Sequence, residues 1–169
     1  MTSLPVEIVT YRPEFSADFD RLNRAWLEKY FTVEPLDEEY LSDPEGHILR
    51  PGGEIFFAMD AGQVIGTCAA IPQGDGNFEL AKLAVTPEAQ GRGIGRTLAL
   101  RVIAFAKAHG AERVVLMSNS SLRPALRLYE SLGFRYLPIP EARPYIDADV
   151  FMELALGVSP EAANDTAAG

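Results

Sequence analysis

The sequence predicts one mixed α/β domain, and three observations carry that expectation. Short runs rich in β-branched and aromatic residues alternate with longer stretches whose apolar residues recur every three or four positions. The runs follow the order β-α-α-β-β-β-α-β-α-β-β, which describes a mixed sheet with helices packed on it. A length of 169 residues with 47% apolar content suits a single domain able to bury an ordinary core.

Each element has its own signal. Residues 6–11 alternate as a first strand, and Phe15, Phe19, Leu22, Trp26 and Tyr30 then mark one face of an amphipathic helix. Residues 37–41 form a second, short helix, ended by Asp43-Pro44 and Gly46. Residues 54–59 and 63–71 are strands around Asp60-Ala61-Gly62, a hairpin signal. Residues 78–85 make a further strand, closed by Thr86-Pro87. A helix follows with Ile94, Leu98, Val102, Phe105 and Ala106 on one face and Gly110 as its stop. Residues 113–117 are a short strand of the apolar kind buried in sheets. Residues 121–132 are helical, with Pro124 in the first turn and Gly133 as the stop. Residues 134–139 and 149–156 are the last strands. The domain is expected to span residues 1–156, and the small, polar tail of residues 157–169 to be disordered.

Composition removes several classes of function. One cysteine excludes a disulfide framework and a cysteine-rich metal site. The N-terminus has no basic and apolar leader, and no apolar run approaches the roughly 20 residues of a membrane helix. A cytoplasmic protein with no membrane partner is the expectation. The net charge of -9 argues against nucleic acid, which wants a basic face. That total is unevenly spread: residues 82–135 hold nine bases and three acids, whereas residues 1–60 hold five bases and thirteen acids. A basic middle between acidic flanks suggests two surfaces with different tasks.

The basic segment contains Gln90-Gly91-Arg92-Gly93-Ile94-Gly95-Arg96, between a strand and a helix. Glycines let backbone approach a ligand, and a helix start offers unpaired N–H groups and a positive dipole end. Together they suit a phosphate or pyrophosphate, with Arg92 and Arg96 adding charge at the rim. No Gly-Lys-Ser/Thr follows, so this is not a Walker loop, and the glycine spacing is not that of dinucleotide folds.

The run Leu83-Ala84-Val85-Thr86-Pro87-Glu88-Ala89-Gln90-Gly91-Arg92-Gly93-Ile94-Gly95 resembles the acetyl-CoA signature of the GNAT N-acetyltransferases, Gln/Arg-x-x-Gly-x-Gly/Ala, matched by Gln90, Gly93 and Gly95. Downstream, Ala125-Leu126-Arg127-Leu128-Tyr129-Glu130-Ser131-Leu132-Gly133-Phe134 is similar to that family's A-x-x-LYE-x-LGF helix. The resemblance implies a GNAT fold: a mixed, mostly antiparallel twisted sheet of about six to seven strands flanked by about four helices. It implies acetyl-CoA as cosubstrate and an N-acetyltransferase in which an amine attacks the thioester directly. It also implies roles for particular residues. Leu83 and Val85 would pair with the pantetheine arm through their main chain, and the N–H groups from Gln90 through Gly91, Arg92, Gly93, Ile94 and Gly95 to Arg96 would hold the pyrophosphate. Tyr129 would be the acid that protonates the departing thiolate, and Glu79 the base that deprotonates the amine.

Each residue has a plainer reading beside that one. Leu83 and Val85 read as core strand, and Tyr129, at helical spacing from Leu126 and Leu132, as a core aromatic. Glu79 reads as a strand-end carboxylate that faces solvent or binds a substrate cation. Asn119 serves either the cofactor or a turn; the family's usual asparagine position holds Leu122 here. His47 and His109 lack partners at metal-ligand spacing, so no metal is expected. Cys68 reads as a buried thiol, Trp26 as part of the helix stripe, and the outward acids of Asp37-Glu38-Glu39 as a solvated helix start.

In this fold the acceptor site is built from the N-terminal helices and the last strands, the acidic regions of this chain, which points to a cationic amine, small molecule or peptide. A protein N-terminal or lysine acetyltransferase and a non-catalytic acyl-CoA-binding module are the alternatives, and the resemblance leaves a homodimer open.

Overall fold

The computed structural model describes residues 6–142 and 144–157. Of the expected disordered tail, residues 158–169 lie outside the described residues. Seven strands form one open sheet in the order β1-β2-β3-β4-β5-β7-β6. They are β1 (Glu7–Thr10), β2 (Glu54–Asp60), β3 (Gln63–Pro72), β4 (Phe78–Val85), β5 (Arg113–Ser118), β6 (Arg135–Leu137) and β7 (Val150–Ala155). Four α-helices cover it: α1 (Ser16–Tyr30), α2 (Pro35–Ser42), α3 (Ile94–Ala108) and α4 (Arg123–Ser131). Every pairing is antiparallel except β4 with β5.

The pleat of β2 and β3 explains the layers. Phe56, Ala58, Cys68 and Ala70 face α3, whose Leu98, Ala99, Val102 and Ala106 are buried against them. Their neighbours Ile55, Phe57, Ala69 and Ile71 point to the opposite face, where Phe19 and Leu22 of α1 and Leu41 of α2 cover them. Alternating side chains thus feed two cores from one sheet. Phe57, fully buried, is central to the second core, and its truncation to alanine is worth about 3–5 kcal/mol.

The boundaries differ from expectation where local chemistry intervenes. The β2–β3 loop is a two-residue turn in which Ala61 (φ 51°) and Gly62 (φ 82°) both take the left-handed conformation, as a type I′ hairpin requires. Helix α2 starts two residues early because Pro35 occupies its first turn, and Glu34 there donates its N–H to Asp37 Oδ2 at 2.9 Å. A π turn (Glu45–Leu49), unforeseen in the sequence, buries Ile48 beneath β2. Strand β6 is cut to three residues by Pro138 and Pro140, which cannot donate to a ladder.

Candidate active site

Strand β4 carries the site. Between β3 partners Thr67 and Ala69 it accommodates Lys82 and Leu83 opposite Cys68 alone, a β-bulge. Lys82 sits there at φ 57°, a left-handed conformation that costs a residue with a Cβ about 1–2 kcal/mol. Bulges bend strands, and β4 does diverge from β5: the parallel ladder consists of Phe78–Val114 and Glu79–Val115 and then stops. Buried Asn77 fastens this short junction, its Oδ1 accepting the N–H groups of Glu112 and Arg113 at 2.9 and 3.1 Å. Beyond Glu79, β4 is paired on its β3 side and has no strand on the other.

The gap opens into a cleft of about 640 Å³. Its floor is β4, including Glu79, Lys82, Leu83 and Val85; one end is the glycine loop and the start of α3; its other walls come from α1, α2, α4 and the β6–β7 connection.

At the loop end, Gly91 and Gly93 have φ of 86° and 78°. Gly93 is the N-cap of α3 and no side chain caps the helix. The first intrahelical bond there runs from Thr97 N–H to Gly93 O, which leaves the N–H groups of Ile94, Gly95 and Arg96 without helical partners. Gly95 packs toward Leu128 and Leu83. Gln90 donates to Val85 O at 3.2 Å, closing the loop onto β4. Arg96 lines the cleft and donates to Ser131 Oγ at 2.9 Å. Arg92 departs from expectation: its guanidinium turns away to pair with Asp60 at 2.9 Å and is not part of the cleft lining.

Tyr129, on α4, is buried, with its ring edge-on to Phe134 at 5.9 Å. Its hydroxyl has no hydrogen-bond partner among the described residues, yet no buried side-chain polar atom there is left unpaired, so the hydroxyl reaches the cleft. Burial pushes this phenol above its ordinary value, and the nearby Cys68 acts in the same direction. It is therefore a protonated hydroxyl at neutral pH. Glu79 projects into the same cleft, and burial pushes its carboxyl up to about 7 against the lowering effect of the Lys82 ammonium. Titrating near neutrality suits a carboxylate that accepts a proton. Cys68 is buried, as the strand pattern predicts, and burial raises its thiol.

Asn119 lines the cleft but is spent on the chain itself. Its Nδ2 donates to Asp147 O at 2.6 Å, and its Oδ1 accepts from Ser121 N and Oγ at 2.9 and 2.7 Å. These are the bonds of the turn reading.

Three residues were missed. Asp37, in a run whose two outward acids read as a solvated helix start, is 2% exposed and forms an ion pair with Lys82 in which both side chains are nearly dry. The Lys82 ammonium also lies 3.4 Å from the Tyr145 hydroxyl and over the rings of Tyr145 and Tyr40, at 5.0 and 5.9 Å from their centroids. Burial raises the Tyr145 phenol, with Glu79 and Asp37 adding to the shift. Two signals could have found the pair: an acid three residues after Glu34 at a proline-marked helix start, and the only base in β4. Among the described residues, no group of three His, Cys, Asp or Glu has metal-holding geometry, and no helix is long and apolar enough to cross a membrane.

With the geometry in place, the likenesses to known proteins are specific. A sequence model of the acetyltransferase (GNAT) family matches residues 18–134. An uncharacterized N-acetyltransferase of Schizosaccharomyces pombe is 32% identical over 128 residues, 73% of this chain and 78% of that protein. The N-acetylaspartate synthetase of Danio rerio is 39% identical over 97 residues, 56% of this chain, but the match spans only 34% of the synthetase. Among solved structures, a GNAT-family acetyltransferase from Staphylococcus aureus superposes with a TM-score of 0.82 at 19% identity, covering 90% of this chain and all of that one. An acetyltransferase from Salmonella typhimurium, solved with acetyl-CoA, gives 0.72 at 24% identity, covering 92% of this chain and 96% of its own. At these identities the two structures speak for the fold.

Proposed function

Because the chain belongs to the acetyltransferase (GNAT) family, we propose that it transfers an acetyl group from acetyl-CoA to a primary amine, with Glu79 as base and Tyr129 as acid. The observation that carries this reading is the parting of β4 from β5. It leaves an unpaired backbone edge that runs from Glu79 to the bare N-terminus of α3. An extended pantetheine arm fits such an edge as an added strand would, and a pyrophosphate fits the unpaired N–H groups and dipole of the helix start. The residues present therefore suit the donor: Leu83 and Val85 through main chain, then Gln90, Gly91, Gly93, Ile94, Gly95 and Arg96. Arg92 contributes through backbone, its side chain being engaged by Asp60.

Bound acetyl-CoA supplies the thioester carbon at which the amine nitrogen forms its new bond while the carbon–sulfur bond breaks. Glu79 takes the proton the amine must lose, since an ammonium has no lone pair. Tyr129 gives its proton to the departing sulfur, and the second proton that the nitrogen sheds as the amide forms passes to solvent, from which Tyr129 is reprotonated. Free N–H groups of β4 polarise the thioester carbonyl, and the cleft walls hold the two reactants together.

Charge supports a cationic acceptor. Among the described residues, and away from the glycine loop, the cleft is lined by Glu34, Asp37, Glu79 and Asp147 against Lys82, which pairs with Asp37. The name N-acetylaspartate synthetase implies an acidic acceptor for that relative; the lining here favours one of the opposite sign. The test is thiol release from acetyl-CoA with a panel of primary amines, for wild type and Tyr129→Phe. Release that requires an amine and collapses in the variant is the expected result; binding of CoA without release under any amine refutes it.

A further inference from the structure

We infer that the acceptor is an arylalkyl amine lacking a carboxylate, its ring resting on the aromatic cluster of Trp26, Tyr30 and Phe31. This rests on the transferase reading above and narrows its substrate class. The three rings come from the last turn of α1 and the residue after it, and all of them line the cleft. They contact one another at centroid distances of 5.4 Å (Trp26–Tyr30), 5.6 Å (Trp26–Phe31) and 6.5 Å (Tyr30–Phe31). Trp26 packs on the core below, whereas Tyr30 is 44% exposed. A tilted aromatic group that is half anchored and half open is a surface for another ring.

Beside them Glu34 lines the cleft, its Oε1 accepting the Ile146 N–H at 2.9 Å. Apolar rim and acidic interior are thus neighbours: Phe31 is three residues before Glu34, and Glu34 three before buried Asp37. An ammonium directed inward meets Glu79 and Asp147, while an aryl body left at the rim meets Trp26, Tyr30 and Phe31. Among the described residues that line the cleft, a carboxylate beside the amine meets no unpaired cation. Lys82 is held by Asp37, and Arg96 is at the glycine-loop end, bonded to Ser131.

Trp26 is the only tryptophan, so its emission reports the site directly. With full-length protein and CoA present, phenethylamine is expected to change Trp26 emission saturably, and ethylamine and phenylalanine to leave it unchanged. In turnover, kcat/KM for phenethylamine should exceed that for ethylamine, spermidine, phenylalanine and aspartate by about ten-fold or more. Phe31→Ala should erase the margin of phenethylamine over ethylamine. Equal use of ethylamine, spermidine or phenylalanine overturns the inference, as does Trp26 emission indifferent to every amine. If no amine releases thiol but phenethylamine alone alters Trp26, the aryl site stands and the transfer reading falls.

Discussion

Replacing Asp37 by asparagine separates the charge of the Asp37–Lys82 pair from its packing. The two side chains are 3% and 8% exposed. Deleting one member of so dry a pair costs about 3–5 kcal/mol, because the survivor loses the carboxylate bonded to it. Asparagine keeps an oxygen for the Glu34 N–H, so the helix cap survives and adds little to that figure. The Tyr145 hydroxyl and the rings of Tyr40 and Tyr145 already face the ammonium and offer nothing new when the carboxylate goes. For a domain of this length each kcal/mol moves Tm by about 2–4 °C, so the variant should melt roughly 10 °C below wild type. Urea unfolding at neutral pH, followed by circular dichroism, measures the loss. The double variant Asp37→Leu with Lys82→Met should recover most of it, since two apolar side chains fill the space with no charge left over. A loss below about 1 kcal/mol in Asp37→Asn would mean that Lys82 reaches water and the pair is not dry. A double variant no better than the single would assign the cost to packing.

Glu79 must be ionised to accept a proton, and its raised value of about 7 means kcat/KM rises with pH through that region and levels above it. Glu79→Gln should remove this limb and lower the rate by about 10²–10⁴; an unchanged profile rules Glu79 out as base. The Lys82 ammonium lowers Glu79, so Lys82→Met should move the limb to higher pH, and a limb that stays put denies the coupling. Tyr129→Phe should reduce kcat by about 10² with CoA affinity unchanged, because the lost hydroxyl has no hydrogen-bond partner among the described residues; equilibrium CoA titration beside steady-state kinetics distinguishes this from misfolding. Gly93→Ala places a Cβ at φ 78° and should cost about 1–2 kcal/mol, with weaker CoA binding read by calorimetry.

What could be read in the chain is what local periodicity and backbone chemistry encode. The helix faces through Phe19 and Leu22, and through Leu98 and Val102, follow from spacing alone, and the glycine loop announces its left-handed turns by composition. Glu79 and Tyr129 lie 50 positions apart, and only the resemblance to a family suggested that they share a cleft. Asp37 and Lys82 were opaque for a different reason. Each looks like an ordinary surface charge in its own segment, and the pair exists because the bulge sends Lys82 from the sheet toward α2. Arg92 erred in the other direction: an arginine in a glycine loop reads as phosphate-binding until Asp60, 32 residues earlier, claims it. Asn119 likewise answers to Asp147, a contact that no local pattern records.

The short ladder between β4 and β5 has a mechanical consequence. Two residue pairs and the Asn77 fastening are the sheet's own seam between its N-terminal four strands and its C-terminal three. A donor lying along the rest of that seam would act as a splint, completing hydrogen bonds on which the folded chain has no internal claim. By linkage, whatever splints only the folded form stabilises it, by about 2.7 kcal/mol at a hundred times its dissociation constant. The melting temperature should therefore climb with CoA concentration, and the enzyme's resistance to unfolding would register how much donor surrounds it.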